Sequence, residues 1–533
     1  MTHRVFSQTR ASFLVIALSF SLAPAALLAQ GKPAFNPGNL VVSRTVYDNQ
    51  ASNVTAGVTQ LPPGCTSGCV TAIADGTYPY VFNNDTVDTN FGITSRIYLD
   101  HSTPSGNVIQ SIAVPVDQLV TSFSSKSELA LNLSTDGRYL SFMGYFAPVN
   151  AIDVSNSNTP GVFDSTNPVP GSDYRVVARV DRSGNFSSTL TNAYSGNNGR
   201  AAVLNNTWGN DVFYTAGNAG NGSNPQPVGV VLGAGAQILS PSNQPESEQV
   251  PGQPTPVGSF SVTQLGYPAD KVGKDTNFRG MTIFNNVLYY TKGSGSNGVN
   301  TVYFVDTTGK ACPKGTGVPS ASATLPTEPI DTTGINVQKN GVPTNMCVLT
   351  GFPTLSNKNG TPVNFPFGIW FADANTLYVA DEGDGTNTYD STTNSYPAAA
   401  GNSLAGLEKW VYNGSTWTLA YTLQRDLNLG TPYTVSGYPT GTNDATGLPW
   451  SPATDGLRNI TGRVNNDGTV TIWAITSTVS GNGDQGADPN RLVSITDTVS
   501  FTTWAQAANE KFKTLRIAGF GEVLRGVSFG PSN

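Results

Sequence analysis

Apolar and polar positions along the chain follow one recurring pattern: a short apolar strand, a tight turn of Asn, Asp or Gly, and a second strand rich in aromatic and β-branched residues. Each copy reads as a β-hairpin. Five copies are continuous, at residues 128–145 (ELALNLSTDGRYLSFMGY), 200–216 (RAAVLNNTWGNDVFYTA), 279–292 (RGMTIFNNVLYYTK), 367–381 (FGIWFADANTLYVAD) and 458–476 (RNITGRVNNDGTVTIWAIT). The sixth is divided between the chain ends, residues 525–529 (RGVSF) repeating the first strand and residues 40–46 (LVVSRTV) the second. A third strand follows each hairpin after a loop, at 96–100, 174–181, 301–306, 407–412 and 491–496, and an outer strand such as 107–114 or 416–423 commonly completes the unit. Four antiparallel strands repeated about an axis predict an all-β fold, a single β-propeller. Six four-stranded blades are counted, and residues 235–277 are long enough to hold a seventh. The divided blade predicts that N- and C-terminal strands pair and close the ring, leaving no free sheet edge.

In such a ring the loop between second and third strands lies at the face where each inner strand begins. Those loops are the long ones here (48–91, 146–173, 217–227, 293–300, 382–405 and 477–489), so this face is the expected place for a binding site. The residue leading into the inner strand is Arg200, Arg279, Arg458 or Arg525 in four units, Glu128 in a fifth and Phe367 in the sixth, with Phe278 and Trp370 close by. In register, these side chains predict a ring around the channel mouth. Guanidinium forks suit carboxylate, sulfate or phosphate. The same arginines can equally tie one blade to the next through Asp or backbone carbonyls, and both readings stand at this point.

Charged residues make up 12% of the chain, well below the roughly 25% of an average domain, and there are 57 glycines. Arg4 and Arg10, the apolar stretch 13–28 broken by Pro24, and Ala29-Gln30 have the order of a secretory signal peptide. The expected division is a leader at 1–29 and one propeller domain at 30–533, secreted to the periplasm or beyond the cell. Without Arg4 and Arg10 the 28 basic residues become 26 against 35 acidic ones, a net charge of −9, which argues against nucleic-acid or anionic-membrane partners. Past the leader, no segment reaches the ~18–20 apolar residues of a membrane span. A monomer is expected.

Four cysteines in an exported chain read as disulfides, Cys65 with Cys69 and Cys312 with Cys347, since each pair lies within one loop-rich insertion. They lack the paired spacing of a four-thiolate zinc site. In the loop DEGDGTNTYD, Asp381, Glu382, Asp384, Asn387 and Asp390 offer oxygen ligands of the kind calcium takes. A plain solvated loop is the other reading, and Asp484 and Asp488 pose the same choice. No other cofactor is indicated.

The runs GNLVVSRT (from Gly38), SRIYLDHSTPSG (from Ser95), STDGRYLSFMGY (from Ser134), YRVVARVDRSG (from Tyr174), LYVADEG (from Leu377), GLEKWVYNGSTWTL (from Gly406) and RGVSFGP (from Arg525) resemble a propeller domain of uncharacterised exported bacterial proteins. The resemblance covers nearly all of the mature chain. It implies a surface or extracellular location and carries over no activity or catalytic residue. His101 departs from the family pattern, which has an acidic residue there.

Once the leader is removed His101 is the only histidine, and the pattern places it in a turn on the face opposite the arginines. That argues against a Ser-His-Asp hydrolase or a multi-histidine zinc enzyme. The expected function is the binding of an extracellular ligand, an anionic glycan or small anion, at the loop-covered mouth. The alternative is a polysaccharide lyase or glycoside hydrolase on acidic polysaccharide at the same face; a hydrolase would draw its carboxylates from Glu128 and the Asp381 loop, and a lyase would neutralise a uronate with the arginines while a Tyr or Lys abstracts the adjacent proton. Tyr145 and Tyr289 read as core.

Overall fold

The computed structural model describes residues 34–533 apart from 49, 51, 56, 62–68, 72–91, 124–128, 161–170, 192, 208–210, 219–234, 240, 242–246, 249–276, 296–297, 313–314, 327–345, 356, 358–359, 444–446 and 483–484. Its strands form six small antiparallel sheets arranged as the blades of a propeller, so the reading of an all-β propeller holds and the blade count is six.

The first blade runs, from axis to rim, through Glu522–Phe529, Leu40–Val46, Thr94–Ser102 and Val108–Ala113. The second uses Asn132–Leu133, Tyr139–Tyr145, Arg175–Asp181 and Phe186–Thr191, and the third Gly199–Asn205, Val212–Gly217 and Ala236–Leu239. The fourth is Met281–Phe284, Val287–Lys292, Thr301–Val305 and Met346–Leu349. The fifth is Pro366–Asp373, Thr376–Asp381, Gly406–Tyr412 and Trp417–Leu423, and the sixth Ala453–Val464, Thr469–Val479, Arg491–Thr498 and Lys513–Ile517. In the stretch with room for a seventh blade, Ala236–Leu239 serves the third blade and Ser247–Glu248 pairs in parallel with Phe186–Thr191 at the edge of the second.

Side chains of a strand alternate between its two faces, and in a propeller both faces are buried against neighbouring blades. In Leu40–Val46, Val41 joins the apolar layer between the first and second blades, whereas Leu40 and Val42 join the layer shared with the sixth. In Thr469–Val479, Ile472 and Ala474 face the fifth blade while Trp473 and Ile475 face the first. Strands with two buried faces read as near-continuous apolar runs, and this is why the hairpins stood out in the sequence.

Ring closure is as predicted: Leu40 pairs with Phe529, Val42 with Val527 and Val46 with Glu522, antiparallel throughout. A buried charge network reinforces the junction. Asp100 accepts from Arg44 Nε at 2.7 Å and from Arg516 of the sixth blade at 2.7 Å, while Arg44 also meets Glu522 at 2.6 Å. Burial alone would raise the Asp100 carboxyl; Arg44, Ser111 and Arg516 outweigh it and hold it below the usual range. Cys312 and Cys347 form the expected disulfide (S–S 2.00 Å) and fasten a loop to the outer strand of the fourth blade. Cys69 is also disulfide-bonded, and Cys65 lies outside the described residues.

Candidate functional site

The four arginines stand where the repeat places them, at the loop face, but each reaches toward a neighbouring blade. Arg200 donates to the Phe278 carbonyl at 3.0 Å and to Asn277, both leading into the fourth blade. Arg525 of the first blade donates to the Phe123 carbonyl on the connection to the second. Arg279 and Arg458, in the fourth and sixth blades, lie 3.8 Å and 3.1 Å from the carboxylate of Glu382, which follows the second strand of the fifth. Phe367 is fully buried with both guanidinium groups 5.9 Å from its ring centre. The fifth blade therefore supplies an aromatic face and an acid where its neighbours supply arginine. None of the four arginines is more than 8% exposed, so this end of the channel is a set of interblade ties. Glu128 lies outside the described residues.

The residue after each arginine position explains the rest of the repeat. A Cβ on Gly280 would stand 2.1 Å from the Phe367 carbonyl oxygen, one on Gly368 2.3 Å from that of Arg458, and one on Gly526 2.3 Å from that of Leu129. Inner strands of adjacent blades thus meet backbone to backbone, and a side chain there would force them apart. Second-strand hydroxyls bridge the contact: Ser43 accepts from the Gly526 amide and donates to the Leu129 carbonyl, both at 2.8 Å, and Thr291 does the same between Gly280 and Phe367 at 2.8 Å and 2.5 Å. At this level, the waist, three pairs of neighbouring inner strands pack this closely.

The acidic loop folds on its own backbone. Buried Asp381 accepts from the amides of Phe365 (2.6 Å) and Gly383 (2.9 Å), Asp384 from Thr386 (2.8 Å), and Asp390 from Thr392 (2.8 Å). Among the described residues, no three His, Cys, Asp or Glu side chains are grouped to hold a metal ion. Asp455 of the sixth blade reaches this loop, accepting from the Gly385 amide at 2.9 Å, and its carboxyl would collide with a Cβ on Gly383. Burial, together with the nearby Asp384, Glu382 and Asp381, pushes the Asp455 carboxyl up to about 8.

Asp488 is also structural: Tyr438 and Ser480 donate to it at 2.9 Å and 3.0 Å, and Asp484 lies outside the described residues. These bonds anchor residues 424–452, a connection between the fifth and sixth blades that sequence reasoning missed. With Tyr47, Val54, Ile93 and Phe123 of other loops, its Val435 and Tyr438 form a small apolar core over the loop face. The aromatic residues Tyr433, Tyr438 and Trp450 in an otherwise Gly- and Pro-rich stretch were the available signal. His101 needs correcting too. It lies at the opposite face as expected, but inside the strand Thr94–Ser102 rather than in a turn, buried, with Nε2 accepting from the Asn36 amide at 3.3 Å. Tyr145 and Tyr289 are buried, as their strand positions predict.

Below the waist, on the face of the short turns, the channel opens into a cavity of about 650 Å³. All six inner strands or the turns that follow them line it, with Asn132, Thr282, Phe284, Trp370, Thr461 and Phe529 among the lining residues. No Asp, Glu, Lys, Arg, His or Cys is among those lining residues. Trp370 therefore belongs to this end of the channel and not to the arginine mouth. Its indole rests against Gly462, where a Cβ would come within 2.6 Å of the ring. The two-residue turn Asn285-Asn286, both with positive φ (48° and 59°), sets two amide side chains at the exposed rim. Each inner strand is the axial edge of its sheet, and some of the backbone groups along these edges bond to the next blade, as Leu204 accepts from the Thr135 amide at 2.9 Å.

Fold and cavity define the class: a six-bladed propeller, closed by its two terminal strands, with an axial cavity open on the turn face whose described lining residues are uncharged. No protein-family model matches the chain, and no curated protein matches it. Among solved structures it is similar to the ectodomain of the parainfluenza virus 5 hemagglutinin-neuraminidase, at 9% identity and a TM-score of 0.32 over 74% of each chain. It is also similar to a polysaccharide lyase, the PL25 ulvan lyase, at 11% identity and a TM-score of 0.27 over 91% of this chain and 96% of that one. Likeness this slight carries nothing about ligand or chemistry. Among the described residues, no helix is long and apolar enough to cross a membrane.

Proposed function

We propose that the protein is an exported binding propeller that takes an uncharged extracellular ligand into its axial cavity on the turn face. The observation that carries this reading is the composition of the cavity wall, which among the described residues combines aromatic rings with amide and hydroxyl side chains and has no ionisable group. General acid–base and nucleophilic catalysis by side chains require such groups at the reacting atoms, so binding fits this site better than turnover. Export is supported by the leader-like N-terminus and by the Cys312–Cys347 disulfide, which suits an oxidising compartment.

An anionic ligand at the loop face, whether bound or cleaved, is the weaker reading. It needs arginines aimed at a ligand, and Arg279 and Arg458 are already matched to Glu382. The test is capture on a panel of immobilised neutral and acidic polysaccharides by the wild type, Trp370→Ala and the double variant Arg279→Met/Arg458→Met. Capture lost in Trp370→Ala and kept in the arginine variant supports the proposal. Capture that depends only on the arginines contradicts it.

A further inference from the structure

Resting on that reading, the geometry points to a more specific ligand: the terminal rings of a neutral glycan chain, entering end-on. Two observations carry this inference, the chemistry of the wall and the closed floor.

A sugar ring carries an apolar C–H face and a rim of hydroxyls that both donate and accept. The wall offers a counterpart to each. Trp370, partly exposed and held against Gly462, provides a flat aromatic surface of the kind that packs on an apolar face. Asn132, Asn285 and Asn286 carry amides that donate and accept at once, as do the hydroxyls of Thr282 and Thr461, so a hydroxyl can be met in either role. The axial edges of the inner strands add backbone donors and acceptors. Among the described lining residues there is no cationic side chain, and against them a uronate or sulfate would lose its hydration without gaining a counter-charge, which makes burying such a group costly.

The floor sets the mode of entry. About 650 Å³ falls within the ~300–1,000 Å³ of ordinary small-molecule sites, room for a short run of sugar rings and not for a polymer. At the waist, Gly280, Gly368 and Gly526 have no space for even a methyl group before the next blade, and the lining of the cavity stops short of these glycines, of buried Phe367 and of the arginine ties. A glycan cannot thread through the channel, and the blades wall it in on all sides. Only a chain end can reach Trp370.

The decisive experiment is a tryptophan fluorescence titration of the mature protein against linear neutral oligosaccharides of several monomer types. Cyclic oligosaccharides, which have no ends, and uronate oligosaccharides serve as comparisons, and Trp370→Phe and Gly462→Val are run in parallel. The expected result is saturable binding of at least one linear neutral series, at least tenfold weaker binding of its cyclic counterpart and of uronates, and at least tenfold loss in Gly462→Val, which displaces the indole. Trp370→Phe should retain part of the affinity while losing the fluorescence response, with calorimetry reading the binding. If cyclic and linear forms bind equally, if only uronates bind, or if the cavity takes peptides and no sugar, the end-on inference is wrong. Binding that ignores Trp370 and Gly462 altogether would defeat the underlying reading as well.

Discussion

The two ends of the axial channel are built from the same six inner strands and have opposite characters. At the loop face, buried arginines, a carboxylate and phenylalanine tie blades to their neighbours. At the turn face there is an open cavity whose described lining residues carry no charge. The difference teaches how to read a repeat. Residues that recur from blade to blade, such as the Arg-Gly steps 279–280 and 525–526, solve a junction that every blade shares. A ligand on the axis is not sixfold symmetric, so the residues that would bind it are those that do not recur, such as Trp370 and the Asn285-Asn286 turn.

The largest expected effect concerns closure, which both ends share. Deleting residues 524–533 removes most of the inner strand of the first blade, with Leu524 and Val527 buried in the layer next to the sixth. Each such side chain contributes about 1.5–3 kcal/mol of burial, and the whole ladder is lost with them. Loss of a cooperative thermal transition by circular dichroism is the expected outcome, and a truncated protein that keeps its transition would show that the ring does not depend on its closing strand.

Removing the acid that Arg279 and Arg458 share should come next. Glu382→Gln takes the carboxylate away from both buried guanidinium groups, and breaking such a buried pair costs about 3–5 kcal/mol. Denaturant unfolding measures it, and ligand capture at the turn face should be unaffected. The same region should make stability depend on pH. Asp455 titrates near 8 in the fold, raised by burial and neighbouring acids, so the folded state holds a proton that the unfolded chain releases near its ordinary value of 3.8. Its contribution is present in full below that ordinary value and is lost as pH rises toward 8. Thermal scans should show a fall from pH 5 to 8, and Asp455→Asn should flatten it by about 2–3 kcal/mol.

At the waist, Gly280→Ala forces a methyl against the Phe367 carbonyl and should cost about 1–3 kcal/mol, read by the same unfolding experiment. At the turn-face end, Trp370→Ala removes a half-buried ring that packs against the layer between the fifth and sixth blades; it should shift unfolding by about 1–3 kcal/mol while abolishing ligand capture, whereas Glu382→Gln costs more stability and spares capture.

Most of the fold was legible because strands buried on both faces, such as Leu40–Val46 and Thr376–Asp381, advertise themselves as apolar runs between turn residues. The divided blade was legible for the same reason. The site was far less so. Repetition drew the eye to Arg200, Arg279, Arg458 and Arg525, whose partners, a carbonyl or Glu382, lie 76 or more positions away along the chain or on loops of no fixed pattern. The cavity is assembled from short runs of neutral residues at the ends of six separate inner strands and on the turns after them, Thr282, Trp370 and Thr461 among them, and no local pattern marks such a set. His101 was misplaced by the short distance between a strand's last residues and the turn after it.

The claim that the uncharged end of the channel is the binding end is tested most directly by a crystal structure of the mature protein grown with a linear neutral oligosaccharide that it captures. The account predicts sugar density inside the turn-face cavity, with a terminal ring against Trp370 and the Arg279–Glu382–Arg458 contacts undisturbed. Density on the loop face, with those contacts opened to receive the ligand, would contradict it.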